Sequence, residues 1–333
     1  MPKQYRAEIF ARDFAFRGWS QVESPKIVYD YLTLEATEIN LPKHLECQRG
    51  DYLCMEGYEG IVKSIEYDKN RTKLTVKPLL SLLDIQVYYD RNAIYTQPLE
   101  TFIAALIQKE LIDTDDEIQR VEGLRIETRT NQIEGRLNLK DNIHKLFDDI
   151  ILKALTKYGI TVKMSLDIHK KEIKCSIGLT KAAQKTIEAD LPVVLEQSIT
   201  LRDDYGAANK FIAVNKRNES ETLTYYAEDY APPCVQVVEY IDDDDFSAKA
   251  KERSNEALAK AEFENCIEIV LQEENTFLGG AEVGDRVNVI KDGVVYPTVL
   301  TGYEIERGRM RYIFGAVRLE LTKILIMERR AEK

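Results

Sequence analysis

Histidine and tryptophan are scarce in this 333-residue chain, which has three histidines and one tryptophan. So few imidazoles leave little material for acid–base or metal chemistry. The five cysteines (Cys47, Cys54, Cys175, Cys234, Cys266) are odd in number and scattered, with no pair at the tight spacing of a zinc site, and they read as buried free thiols. No apolar run approaches the ~20 residues that a membrane helix needs. No apolar stretch follows Met1-Pro2-Lys3-Gln4-Tyr5-Arg6 either, so neither membrane insertion nor a secretory signal is expected. Lys and Arg number 46 against 57 Asp and Glu, a formal charge of −11. That balance argues against gripping nucleic acid, which takes clustered cations.

What remains is the composition expected of a soluble intracellular protein of two or three modest domains, 44% hydrophobic. Its most informative feature is a local pattern that occurs twice. Arg49-Gly50-Asp51-Tyr52-Leu53 is followed by Gly60-Ile61-Val62, then by Ser64-Ile65-Glu66-Tyr67 and Lys73-Leu74-Thr75-Val76 across the turn Asp68-Lys69-Asn70-Arg71. Near the other end, Val283-Gly284-Asp285-Arg286-Val287 leads through Lys291-Asp292-Gly293 to Thr301-Gly302-Tyr303-Glu304-Ile305, Gly308 and Met310-Arg311-Tyr312-Ile313-Phe314. Period-2 alternation bounded by Gly, Asp and Asn predicts half-buried antiparallel strands, so one chain is expected to hold two related β units.

Residues 1 to about 90 read as almost wholly β, with alternation over Tyr5–Phe10 and over Tyr31–Ile39, where Leu32, Leu34 and Ala36 share one side. The period then changes. Leu99, Phe102, Ile103, Leu106, Ile107 and Leu111 recur at helical spacing behind Thr96 and Pro98, a cap and a first-turn proline. Ile143, Leu146, Phe147, Ile150, Ile151, Ala154, Leu155 and Tyr158 repeat the pattern, with Asp141 as N-cap and Gly159 as stop. Leu124–Thr130 reads as a strand and Ile160–Ile177 as a hairpin turning near His169, which together make an α+β domain. From Pro192 the chain is β again: Val193–Leu201, a hairpin of Phe211–Val214 with Leu223–Tyr226, Val235–Ile241 and Cys266–Leu271. A polar Ala-rich helix, Ser247–Phe263, interrupts it and is expected on the surface or in a small lobe.

Reactive constellations are thin. His144 and Asp148 at helical spacing offer two ligands on one face without a third, and a solvated helix face is the favoured reading. His44 and His169 fall in loops, and no serine has a nucleophile-elbow context. Asp242-Asp243-Asp244-Asp245 lacks the alternation and glycine of a calcium loop, and reads as an acidic loop capping the following helix. Asp203-Asp204-Tyr205-Gly206 reads as a turn. Gly279, Gly280 and Gly284 are not followed by Lys-Ser or Lys-Thr into a helix, so they make no phosphate loop. Trp19, after Phe14, Phe16 and Gly18, fits an aromatic cluster at an interface better than a carbohydrate platform. No catalytic, cofactor or metal residue is assigned, and no cofactor is expected.

The order of β barrel, α+β insertion, and β barrel with a helical lobe resembles the central tail-hub proteins of tailed phages and phage-like particles. These include the hub of contractile tails and the N-terminal part of siphophage tail-associated proteins. The resemblance rests on Arg49-Gly50-Asp51, Gly60-Ile61-Val62, the exit Lys77-Pro78-Leu79-Leu80-Ser81-Leu82-Leu83, Val283-Gly284-Asp285-Arg286-Val287 and the final strand near Gly315-Ala316-Val317-Arg318-Leu319. It implies a homotrimer whose six barrels form a ring, matching a sixfold tail tube to a threefold tip. It further implies a distal tail or tail-tube ring above, the tape-measure protein and tip or receptor-binding proteins below, and DNA passing through without specific binding. The place implied is the virion tail tip of a phage or prophage. An acidic wall suits that passage, because it repels phosphates.

The expected fold class is α+β multidomain and mainly β, with two related β-barrel tube domains. The expected boundaries are 1–94 for the first barrel, 95–190 for the α+β domain, 191–241 with 264–333 for the second barrel, and 242–263 for the helical lobe. The expected function is a non-enzymatic structural hub. A cell-wall-degrading tail peptidase is one alternative, and it calls for a domain after the second barrel where this sequence reaches Lys333. A carbohydrate-binding adhesion module is the other, and it calls for exposed aromatics where the loops are charged.

Overall fold

The computed structural model describes residues 4–23, 25–90, 98–128, 137, 139, 142–180, 185–201, 208–227, 236–258, 265–273 and 281–315. The chain forms two compact units, Met1–Thr200 with Asn265–Lys333, and Leu201–Glu264. The fold is mainly β.

The N-terminal strands are β1 (Gln4–Phe10), β2 (Phe16–Glu23), β3 (Ile27–Asp30), β4 (Thr37–Leu41), β5 (Tyr52–Met55), β6 (Tyr58–Asp68) and β7 (Arg71–Pro78). All but β3 join one sheet, in the order β2-β1-β5-β6-β7-β4. Alternation sends Tyr5, Ala7, Ile9, Ile39, Leu41, Leu53, Met55, Leu74 and Val76 into a common core. β2 approaches β4, so the sheet curls towards closure. The alternation expected to make a strand of Tyr31–Ile39 misleads over its first half. Asp30 Oδ1 accepts from the Leu32 and Thr33 N–H groups and turns the chain, leaving only Thr37–Leu41 extended. Leu32 and Leu34 are nevertheless buried.

After a buried 3-10 turn at Leu79–Leu83 come β8 (Gln86–Tyr88), α1 (Leu99–Ile107), β9 (Leu124–Thr128), β10 (Ile143–Lys145), α2 (Leu152–Tyr158), β11 (Ile160–Asp167) and β12 (Glu172–Leu179). The sheet β11-β12-β9 pairs β9 parallel to β12. The helices cover this sheet and bury Leu99, Phe102, Ile103, Ile107, Leu152 and Leu155. Pro98 sits at the N-cap rather than in the first turn. The second helical stretch starts at Leu146 in wide π-type turns, not at Ile143, because Ile143–Lys145 are drawn into pairing with β8. The Asp149 carboxylate accepts from the Lys145 N–H at 2.8 Å and covers that entry. Asp141 and Thr96 lie outside the described residues. Gly159 ends α2 with φ +66°, as its position predicts.

Next follow β13 (Thr186–Glu188) and β14 (Val194–Leu201), then the second unit with β15 (Lys210–Asn215), β16 (Thr222–Tyr226), β17 (Gln236–Ile241) and α3 (Phe246–Leu258). The sequence pattern groups these three strands with the second barrel. They form instead a sheet of their own, β16-β15-β17, because Phe211, Ala213 and Ile241 bury against Phe246 and Ala250 of α3. The helix thereby consumes the apolar face that a larger sheet would have used.

The chain returns as β18 (Asn265–Gln272), β19 (Arg286–Lys291), β20 (Val294–Glu306) and β21 (Arg309–Phe314). With β13 and β14 these make a sheet ordered β13-β19-β20-β21-β18-β14, and β3 adds to β20 from the N-terminal region. Ile187, Ile267, Ile269, Leu271, Val287, Val289, Leu300 and Phe314 fill its core.

Candidate functional site

Four strands of each large sheet match in order and register. β5-β6-β7-β4 corresponds to β19-β20-β21-β18. Thr37 faces Val76 as Ile267 faces Phe314, and Leu41 faces Thr72 as Leu271 faces Met310. Both long strands carry an irregularity at the same place, Val62/Ser64 in one and Leu300/Gly302 in the other. Both end in a hairpin with two turn residues, Lys69-Asn70 and Arg307-Gly308. The modules differ in their flanks, since β1 runs antiparallel on β5 whereas β13 runs parallel on β19.

The Gly-Asp turns that announce the repeat have one hydrogen-bond scheme. Gly50 and Gly284, at φ +88° and +92°, donate to the carbonyls of Val62 and Leu300. The N–H groups of those two residues donate back to the Asp51 and Asp285 carbonyls. Each buried carboxylate closes the turn by accepting from the N–H three residues earlier, Gln48 at 2.7 Å and Glu282 at 3.1 Å. The charge partners differ. Asp51 faces Arg17 of the same sheet at 3.3 Å. Asp285 faces Lys163 of β11 at 2.9 Å, and Lys163 also reaches Glu282 at 3.0 Å.

That pairing is, among the described residues, one of three side-chain attachments of β11, an edge strand of the α+β sheet. The Tyr31 hydroxyl binds both backbone groups of Val162, and Glu59 accepts from the Leu166 N–H at 2.7 Å. Side chains thus close an edge that would otherwise be open. Between β11, β12 and the second module lies a cleft of about 510 Å³. Met164, Leu179, Met310 and Tyr312 contribute apolar wall, and the Lys163–Asp285 pair lies at its rim. Tyr29 and Tyr303 stack there with centroids 5.4 Å apart, and Tyr58 meets Tyr29 edge-on. Burial raises all three phenols well above the ordinary tyrosine range. Burial likewise raises the Glu59 carboxyl, opposed by its hydrogen bond from Leu166.

The residues weighed for chemistry are scattered. His144 is buried in β10 and shares no helix face with Asp148, whose carboxylate pairs with Lys145 at 3.1 Å. His44 stacks on Tyr67, and His169 lies in the β11–β12 turn. Asp245 caps α3 by accepting from the Ala248 N–H at 3.1 Å, while Asp242 and Asp244 pair with Arg217. Trp19 is 41% exposed on β2, with Arg6 and Lys43 against its ring. Asp203, Asp204, Tyr205, Gly206, Gly279, Gly280, Cys234 and the strand proposed near Val317 lie outside the described residues. Among the described residues no cluster of His, Cys, Asp and Glu has the arrangement of a metal site. Cys47, Cys54, Cys175 and Cys266 form no disulfide, and burial pushes the Cys54 thiol up to about 11 and the Cys175 thiol to about 12. No helix among the described residues is long and apolar enough to cross a membrane. Sequence reasoning missed Tyr31, Glu59 and Lys163, whose partners lie more than 100 residues away.

No protein-family model and no curated protein matches this sequence. Solved structures do match, and they define a tail-protein fold. The tail protein from Neisseria meningitidis MC58 aligns with a TM-score of 0.59 at 13% identity, over 93% of this chain and 96% of its own. The prophage MuSo2 43 kDa tail protein from Shewanella oneidensis gives 0.58 at 10% identity, over 94% and 98%. Prophage tail protein gp18 from Listeria monocytogenes EGD-e gives 0.56 at 12%, over 98% and 99%. The likeness thus spans nearly the whole of each chain, including both modules and the α+β domain between them.

Proposed function

We propose that this chain is a structural component of a phage or prophage tail, a homotrimeric hub at the tail tip. The observation that carries the reading is the repeated four-strand module, present twice per chain in one register. Three chains place six modules in a ring, so a threefold assembly matches a sixfold tube. The first module belongs to a tube domain of about residues 1–94. The second tube domain is built from β13, β14 and β18–β21, and the α+β domain outside the ring runs from 95 only as far as β12, because β13, which the sequence pattern put in the 95–190 domain, pairs with β19.

In this reading a distal tail or tail-tube ring sits above, and the tape-measure protein and tip or receptor-binding proteins sit below. DNA passes through the centre without being gripped, as befits a chain of charge −11. The part played is architectural and involves no catalysis. Support comes from the tail proteins that share the fold. Sedimentation and electron microscopy of the purified chain test the assembly. A threefold ring with modules meeting head to tail is expected. A strict monomer at high concentration, or a twofold dimer joined through residues 95–190, would overturn the hub.

A further inference from the structure

The two modules differ again at an edge where their shared register makes the comparison direct. Beyond the irregularity in β20, the free edge of Gly302–Ile305 is occupied by β3, with Ile27 opposite Ile305 and Tyr29 opposite Tyr303. Lys26, just before β3, pairs with Glu304 at 3.0 Å and approaches Glu306 at 3.9 Å. The matching stretch of the first module is Ser64–Asp68 of β6. Glu66 and Asp68 stand where Glu304 and Glu306 stand, opposite Lys73 and Arg71 as those two stand opposite Arg311 and Arg309.

Among the described residues, however, only β7 pairs with Ser64–Asp68, because β5 leaves β6 before the irregularity. The two-residue hairpin makes Asp68 and Arg71 a hydrogen-bonded pair, so the backbone N–H and C=O groups of Ile65 and Tyr67 point away from β7. The matching groups of Tyr303 and Ile305 point to β3. The Tyr67 ring rests on His44 and its hydroxyl donates to the Cys47 carbonyl, and among the described residues no strand pairs with the backbone edge itself. The difference shows in exposure: Ile305 is 6% exposed, and Tyr67, in the matching position, is 49% exposed.

We infer that the Ser64–Asp68 edge of β6 receives a strand from a second copy of this chain, in the manner in which β20 receives β3. The inference rests on the ring reading above. Within one chain, the N-terminal region hands a strand to the second module. A closed ring of alternating modules repeats that step from the second half of one chain to the first module of the next. The acidic pair selects the incoming segment by charge, taking a Lys or Arg placed just before apolar residues, as Lys26 precedes Ile27 and Val28.

The test is self-association of the full chain, followed by sedimentation, for wild type and for E66K/D68K. A charge-matched control, E117K/E219K, alters exposed acids elsewhere. The inference expects E66K/D68K to weaken the trimer by roughly tenfold or more in dissociation constant, while the variant keeps the circular dichroism of the folded chain and the control's association is unchanged. Hydrogen exchange on the wild type supplies a readout independent of any variant, with the amides of Ile65 and Tyr67 gaining protection as trimer forms. A wild-type chain that stays monomeric overturns the ring reading together with this one. A trimer that forms equally well with E66K/D68K, or that leaves the amides of Ile65 and Tyr67 no better protected than in the monomer, overturns the strand docking alone.

Discussion

The Tyr31 hydroxyl donates to the Val162 carbonyl and accepts from the Val162 N–H, each at 3.0 Å, so one side-chain oxygen completes both backbone groups of an edge strand. Tyr31 is fully buried, and water has no way to replace it. Removing the oxygen leaves a buried donor and a buried acceptor together. Tyr31→Phe should therefore cost about 2–3 kcal/mol, more than loss of a single hydrogen bond. Urea unfolding monitored by circular dichroism checks it, and a loss under about 1 kcal/mol would mean that Val162 finds other partners.

The matched glycines should respond unequally to alanine. Both have positive φ, so each substitution carries a strain of about 1–2 kcal/mol. At Gly284 the new Cβ would also lie 2.8 Å from Thr161 Cγ2, on a strand that cannot withdraw easily. At Gly50 it meets the Arg12 guanidinium, the far end of a flexible side chain. Gly284→Ala is expected to cost about 3 kcal/mol and Gly50→Ala about 1–2 kcal/mol. Chemical denaturation of the pair decides, and equal losses would show that Thr161 yields as readily as Arg12.

Glu59 sets a pH dependence whose sign follows from its raised pKa. The folded protein holds the Glu59 proton more tightly than the unfolded chain does. Its contribution is therefore most favourable in acid and is lost as pH rises through the window between the unfolded and folded values. Glu59→Gln keeps an oxygen for the Leu166 N–H and removes the buried charge. Relative to wild type, the variant should gain stability as pH rises from about 4 to 7. Thermal melts across that range check it, and a constant difference between the two proteins would count against the assignment.

Local signals were legible and long-range ones were not. The Gly-Asp turns, the Lys69-Asn70 hairpin and the Gly159 stop all read correctly, because each depends on neighbours within a few residues. Tyr31–Ala36 misread because Asp30 competes for its backbone by capping. Ile143–Lys145 misread because β8, some 55 residues away in sequence, offers a better partner than the next helical turn. The apolar strands of 210–241 carried no mark that α3 would claim them. The duplication itself was visible as matched turns, but its full depth required the strand register.

The contrast between Arg17 and Lys163 shows one turn put to two uses. One turn geometry, with one buried carboxylate, acts as a socket in both halves of the chain. In the first half the plug comes from the same sheet and serves closure. In the second the plug comes from the inserted domain and serves as a clasp. Exchanging the donor of a single cation thus changes what a module carries while its backbone stays untouched.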